Sequence, residues 1–153
     1  MATNFLWSGA GAYSLAVGNW LTTELNALAA SSANVLSTLG AAFQNTGGWL
    51  YADVEFVAGG TMTPVAPAFG ELWLLLSLDG GTNYEDGSAT VAPGRPADLI
   101  LPVRAGTTIT PRAGASRLIL PPGFYKPLFR NQLGASLPAT SNLVRFAAYT
   151  QQY

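Results

Sequence analysis

The side chains that most enzymes rely on near neutral pH are missing from this sequence, which has no histidine and no cysteine. Without imidazole there is no ordinary general base and no Ser-His-Asp set; without thiolate there is no Cys-His nucleophile and no zinc site of the usual N/S type. Carboxylates and a single lysine, Lys126, remain. The densest carboxylate run is Asp79-Gly80-Gly81-Thr82-Asn83-Tyr84-Glu85-Asp86-Gly87. Its oxygens suit Ca²⁺, though the EF-hand spacing is absent, and the same residues equally suit a solvent-facing loop of turn formers. As a glycosidase pair, Glu85 or Asp86 would need a second carboxylate across a cleft. Gly9-Ala10-Gly11 and Ala92-Pro93-Gly94-Arg95-Pro96 lack the Gly-x-x-x-x-Gly-Lys-Ser/Thr pattern and read as turns rather than phosphate loops. The expectation is a protein that is not an enzyme and uses no metal or cofactor.

Binding chemistry has more material. Arg112, Arg117, Lys126 and Arg130 stand among Phe124, Tyr125 and Phe129, a combination that fits either a basic stacking face for nucleic acid or strand edges and subunit contacts. A formal net charge of −1 argues against a dedicated nucleic-acid binder. Trp73 and Tyr84 are the aromatics to examine first for sugar stacking, against the alternative that such rings belong to core or interface.

These residues sit in an unusual background. At 153 residues the chain has the length of one domain. Charged residues make up 10% of it and apolar ones 49%, where an ordinary soluble domain is about a quarter charged. A surface this poor in charge is expected to be buried against partners. No apolar run approaches the ~18 residues of a spanning helix. The start, Met1 to Phe5, lacks the positive charge of a secretory signal, and the first basic residue is Arg95, so the protein is expected to stay in the cytoplasm of the cell that makes it until it is assembled. Charge is also segregated: residues 1–94 hold seven acids and no base (−7), residues 95–153 all seven bases and Asp98 (+6), which together give the chain's −1. Either the halves interleave and neutralise each other, or two faces of opposite sign dock on partners.

From residue 49 the pattern is that of strands. In 49–57 the even positions are apolar and the odd ones include Asp53 and Glu55, the alternation of a half-buried strand. In 71–78, Leu72, Leu74, Leu76 and Leu78 line one face, while Trp73 and Leu75 make the other apolar too, so the outer side of this strand is expected to be covered. Further strands are read at 98–104, 117–120, 124–130 and 143–149. Pro121-Pro122-Gly123 reads as a type II turn and Asn131 to Gly134 as a short hairpin connection. Residues 21–43 are open between two short strands and a helix. Residues 1–18 read as an N-terminal arm anchored by Phe5, Trp7 and Tyr13, and residues 19–153 as one β-sandwich domain.

The order Leu-Ser-Leu-Asp-Gly-Gly-Thr-Asn-Tyr-Glu-Asp-Gly (76–87), Leu-Pro-Pro-Gly-Phe-Tyr-Lys (120–126), Arg-Asn-Gln-Leu-Gly (130–134) and Ser-Asn-Leu-Val-Arg (141–145) resembles small virion structural proteins of tailed bacteriophages. The resemblance covers roughly residues 70–150 and points to the jelly-roll cement or decoration type. It implies an all-β, single β-sandwich or jelly-roll domain with an extended N-terminal arm. It also implies a place on the capsid surface of the virion, the major capsid protein as partner, and a homo-oligomer, dimer or trimer, on the shell. Membrane and nucleic acid are not expected partners. Phe5, Trp7, Tyr13, Arg112, Arg117, Tyr125 and Arg130 are the expected partner contacts. The alternative is a tail- or fibre-associated sandwich that binds a host-surface glycan.

Overall fold

The alternation read in residues 49–57 is realised as a strand, Tyr51–Val57, that buries Ala52, Val54 and Phe56 and turns Asp53 and Glu55 outward. The computed structural model describes residues 6–7, 16–30, 36–46, 48–149 and 151–152. In chain order the strands are β1 (Leu6–Trp7), β2 (Ala16–Leu21), β3 (Phe43–Asn45), β4 (Tyr51–Val57), β5 (Phe69–Ser77), β6 (Leu99–Pro102), β7 (Arg112–Ile119), β8 (Gly123–Gln132), β9 (Leu143–Tyr149) and β10 (Gln151–Gln152).

Their pairing follows one rule. Strands equally far from the two ends of this series pair antiparallel: β1·β10, β2·β9, β3·β8, β4·β7 and β5·β6. The chain is thus one long two-stranded ribbon whose bend lies between β5 and β6. Rolling the ribbon brings β4 beside β9 and β5 beside β8, which gives two four-stranded sheets, β2-β9-β4-β7 and β3-β8-β5-β6. This is a jelly roll, the all-β sandwich expected from the strand pattern.

The same rule resolves the segregated charge, because a folded ribbon lays the acidic first half along the basic second half. Glu55 on β4 pairs with Arg112 on β7 at 3.1 Å and with Arg145 on β9, Glu71 on β5 pairs with Arg130 on β8, and Glu85 pairs with Arg95 at 2.9 Å.

The core lies between the sheets. Phe56 on β4 stacks on Phe129 on β8 with ring centroids 5.3 Å apart, and Trp20 on β2 stacks on Phe146 on β9 at 4.6 Å with Phe43 edge-on at 4.9 Å. Gly70 on β5 leaves room for the first stack: a Cβ there would stand 2.4 Å from Cζ of Phe129. The ends of the sandwich are tied by buried asparagines. Asn131 donates from Nδ2 to the carbonyls of Leu28 and Ala135 and accepts from the N–H of Leu133, so it holds two connections against β8.

One open stretch is decided and some expected elements differ. Residues 21–43 form no α-helix among those described. A single 3₁₀ turn covers Thr23–Leu25, Leu36 bridges to Arg130, and β3 completes the stretch. Residues 36–40 run along β8: Ser37 N–H donates to Phe129 O at 2.8 Å, Phe129 N–H to Ser37 Oγ at 3.0 Å, and Gly40 N–H to Pro127 O at 3.0 Å. In an antiparallel ladder the N and O of one residue face the same neighbour, so Pro127 presents no donor to this side and the edge is broken into two pieces. Pro121-Pro122-Gly123 is not a glycine-dependent turn, because Gly123 opens β8 and is absent from the positive-φ glycines, whereas Gly134 in the following connection has φ 70°. Strand β7 starts at Arg112, five residues before the expected start. Of the expected arm, the described parts are β1, paired to β10, and β2 from Ala16.

Candidate docking surface

The two sheets differ in what lies outside them. On β3-β8-β5-β6 the outer face carries a second apolar cluster, Leu36, Trp73, Leu75 and Leu128, and the chain covers it with Leu39, Tyr84, Ala92 and Ala97. Trp73 is 2% exposed, donates from Nε1 to Arg95 O at 3.1 Å, and has the Arg130 guanidinium 5.2 Å from its ring. Tyr84 holds the Lys126 ammonium 4.4 Å from its ring. Trp73 therefore offers no open face to a sugar, and the Tyr84 ring carries Lys126 on one face and packs partly against the second cluster.

Two of the three 79–87 carboxylates, Asp79 and Glu85, are engaged by the protein's own donors. Asp79 accepts from Ser77 Oγ, from the N–H groups of Thr82 and Asn83, and from Asn83 Nδ2. The Ser77 hydroxyl and then the Asn83 backbone and side-chain donors hold its carboxyl well below the usual carboxylate range. Glu85 is turned toward Arg95; burial alone would raise its pKa, but the Arg95 hydrogen bond, the Leu76 N–H and the Arg95 charge lower it from its ordinary value. Among the described residues no group of three or more His, Cys, Asp or Glu side chains is placed to hold a metal ion.

The outer face of β2-β9-β4-β7 has no such cover among the described residues, and the strand register arranges it in rows. One row joins Tyr149, Tyr51 and Ile119 across β9, β4 and β7, with the two tyrosine rings 5.9 Å apart. Beside it, Leu50 is 45% and Ile119 69% exposed, and Leu50, Tyr51, Ile119, Pro121 and Pro122 line one shallow apolar depression. The next row runs Val17, Ala147, Asp53, and small Ala147 leaves a dip walled by Val17, Asp53, Glu55 and Arg145. The third carries Asn19, Arg145 and Glu55. One end of the face is therefore apolar and aromatic, the other charged with its charges paired.

A β-bulge shapes the border between them. Ala52 pairs with Leu118 and Val54 with Ala115, so Ser116 and Arg117 stand opposite Asp53 alone. Arg117 takes φ 62°, a left-handed conformation costly for a residue with a Cβ, and its N–H donates to Asp53 Oδ1 at 3.1 Å. The same oxygen accepts from the Tyr149 hydroxyl at 3.0 Å. Burial, then the hydrogen bond to Asp53 and its charge, raise the Tyr149 pKa above its ordinary value.

The residues expected as partner contacts do not converge. Arg112 and Arg117 lie on this face, at the edge strand β7. Tyr125 is 5% exposed and donates its hydroxyl to Pro121 O at 2.6 Å, inside the fold. Arg130 is held by Glu71 and Trp73 on the other sheet. Phe129 is fully buried, so the basic stacking face with Tyr125 and Phe129 is not assembled at the surface. Phe5 and Tyr13 lie outside the described residues, and of Trp7 only the backbone pairing with Gln151 is described. Val17, Leu50, Tyr51, Ile119 and Tyr149 form the surface instead. Their signal in the sequence was the outward parity of Tyr51 in its strand, which puts a large aromatic where a solvated face would carry polar residues.

No protein-family model, curated protein or solved structure matches this chain. The face sets aromatic and aliphatic side chains on a sheet, beside the ion pairs of Glu55 with Arg112 and Arg145. Among the described residues no helix is long and apolar enough to cross a membrane.

Proposed function

We propose that this chain is a structural protein of a tailed-phage particle, a cement subunit that docks on the major capsid protein through the outer face of β2-β9-β4-β7. The observation that carries this reading is the asymmetry of the sandwich. The protein covers the Trp73, Leu75 and Leu128 strip of one sheet with its own side chains, while among the described residues nothing covers the Leu50, Tyr51, Ile119, Tyr149 end of the other. A contiguous exposed apolar patch on a chain that is 10% charged is the signature of a contact surface. Repetition on a shell lattice turns modest single contacts into firm attachment. The antiparallel ladders that back the patch make it a stiff platform suited to carrying load between neighbouring subunits.

The test is copy number and position in purified particles, by quantitative mass spectrometry and imaging. Hundreds of copies spread over the shell support a cement subunit. A handful at the tail, or none in the particle, contradicts it.

A further inference from the structure

The ladder between β5 and β6 ends at Leu72 opposite Leu99, yet β5 runs on to Ser77. Along that remaining edge the backbone groups that point toward the β6 side are met without a strand. Leu74 N–H donates to Asp98 Oδ2 at 2.7 Å, and Leu74 O accepts from Arg95 Nη2 at 2.9 Å. Leu76 N–H donates to Glu85 Oε2 at 3.1 Å, and Leu76 O accepts from Glu85 N–H at 3.1 Å. Arg95 binds the set together, with Nη1 2.7 Å from Asp98 Oδ1 and Nη2 2.9 Å from Glu85 Oε2. Its own carbonyl accepts from Trp73 Nε1 at 3.1 Å. Three ionised side chains and one backbone N–H thus reproduce the hydrogen bonds of a missing strand.

The segment they close is Leu72-Trp73-Leu74-Leu75-Leu76, uncharged, free of proline and apolar on both faces. Such a run with an open edge pairs with its own kind, because identical strands satisfy each other's backbone and interlock their side chains. We propose that residues 78–98 are a built-in surrogate strand, and that the Arg95, Glu85 and Asp98 clasp keeps the edge of β5 from pairing with β5 of a second copy of this chain. The occupant excluded is a second copy because the closed run is the most apolar uncharged window of the sequence, and antiparallel pairing of two such runs replaces all four backbone bonds at once. Displacing the clasp strands one guanidinium and two carboxylates, which is what makes it a barrier. The clasp stands apart from the docking face, which belongs to the other sheet.

Hydrogen exchange read at single amides, together with sedimentation velocity over a concentration series, tests it in the full chain. In Arg95→Ala the amides of Leu74 and Leu76 exchange about ten- to a hundredfold faster, while those of β4 and β9 keep their protection. The variant self-associates beyond the level of the unaltered chain as concentration rises. Arg95→Lys, whose single ammonium cannot span both carboxylates and a carbonyl, falls between the two and decides the matter should Arg95→Ala lose protection throughout. Unchanged exchange at Leu74 and Leu76, or faster exchange with no gain in self-association, overturns the proposal.

Discussion

Replacing Gly70 by alanine tests how the sandwich is closed. In an open strand position this change stabilises by about 0.4–1 kcal/mol, because alanine loses less backbone freedom on folding. Here the new methyl would sit 2.4 Å from Cζ and 2.7 Å from Cε2 of Phe129. The ring cannot retreat, since it is fully buried and stacked on Phe56. The expected cost is that of overpacking, about 2 kcal/mol, which in a domain of this size lowers Tm by about 4–8 °C. Phe129→Leu alone costs about 1.5 kcal/mol, through the lost stack and a small void. Leucine removes the ring atoms that the added methyl would strike, so the double variant costs about 2 kcal/mol rather than the sum of about 3.5. Urea unfolding followed by the fluorescence of the four tryptophans measures all three. Costs that add to within about 0.5 kcal/mol, or a stabilised Gly70→Ala, would refute the packing argument.

Three further outcomes are expected. Arg117→Gly relieves the φ 62° bulge residue and raises stability by about 1 kcal/mol in urea unfolding; a loss of stability would show that the bulge is held by the arginine side chain more than it is strained by its backbone. Asn131→Ala leaves the carbonyls of Leu28 and Ala135 and the N–H of Leu133 without their buried partner and costs about 2–4 kcal/mol by the same assay. Glu85 has a folded-state pKa below its ordinary 4.5, so its contribution is present above pH 4.5 and is lost as pH falls through the folded value. The acid limb of stability against pH is therefore shallower in Glu85→Gln, and a limb unchanged by that substitution contradicts the role given to the carboxylate.

The fold was legible where one physical signal dominated. The alternation of Ala52, Val54 and Phe56 with Asp53 and Glu55 marked β4, and apolar residues on both faces of β5 announced that its outer side is covered, as Trp73 and Leu75 are. The first five residues of β7 escaped because Arg112-Ala113-Gly114-Ala115-Ser116 has too few large apolar residues to show a period; it is an edge strand that packs small side chains. Residues 21–43 stayed open between two short strands and a helix because alanine and leucine favour a helix while Gly40 and the serines interrupt it; what decides is long-range, the hydrogen bonds of Ser37 and Gly40 to β8. The surface was harder to read, because strand parity separates two faces without saying which is core. Tyr125 and Arg130 carry the chemistry of contact residues, yet Tyr125 is buried and Arg130 is engaged by Glu71 and Trp73, while Ile119 looks like core and is exposed. Interleaving of the charged halves followed from the ribbon pairing, which composition alone cannot supply.

The claim on which the functional reading rests is that the open end of β2-β9-β4-β7 is what grips the shell. Binding of the purified chain to empty shells of the major capsid protein tests it, with Ile119→Asp against Val91→Asp, a similarly exposed position in the 78–98 loop. Loss of the isoleucine's apolar contact and burial of a charge against the shell together weaken binding by about a hundredfold or more for Ile119→Asp, while Val91→Asp binds like the unaltered chain. Equal binding by all three proteins would contradict it.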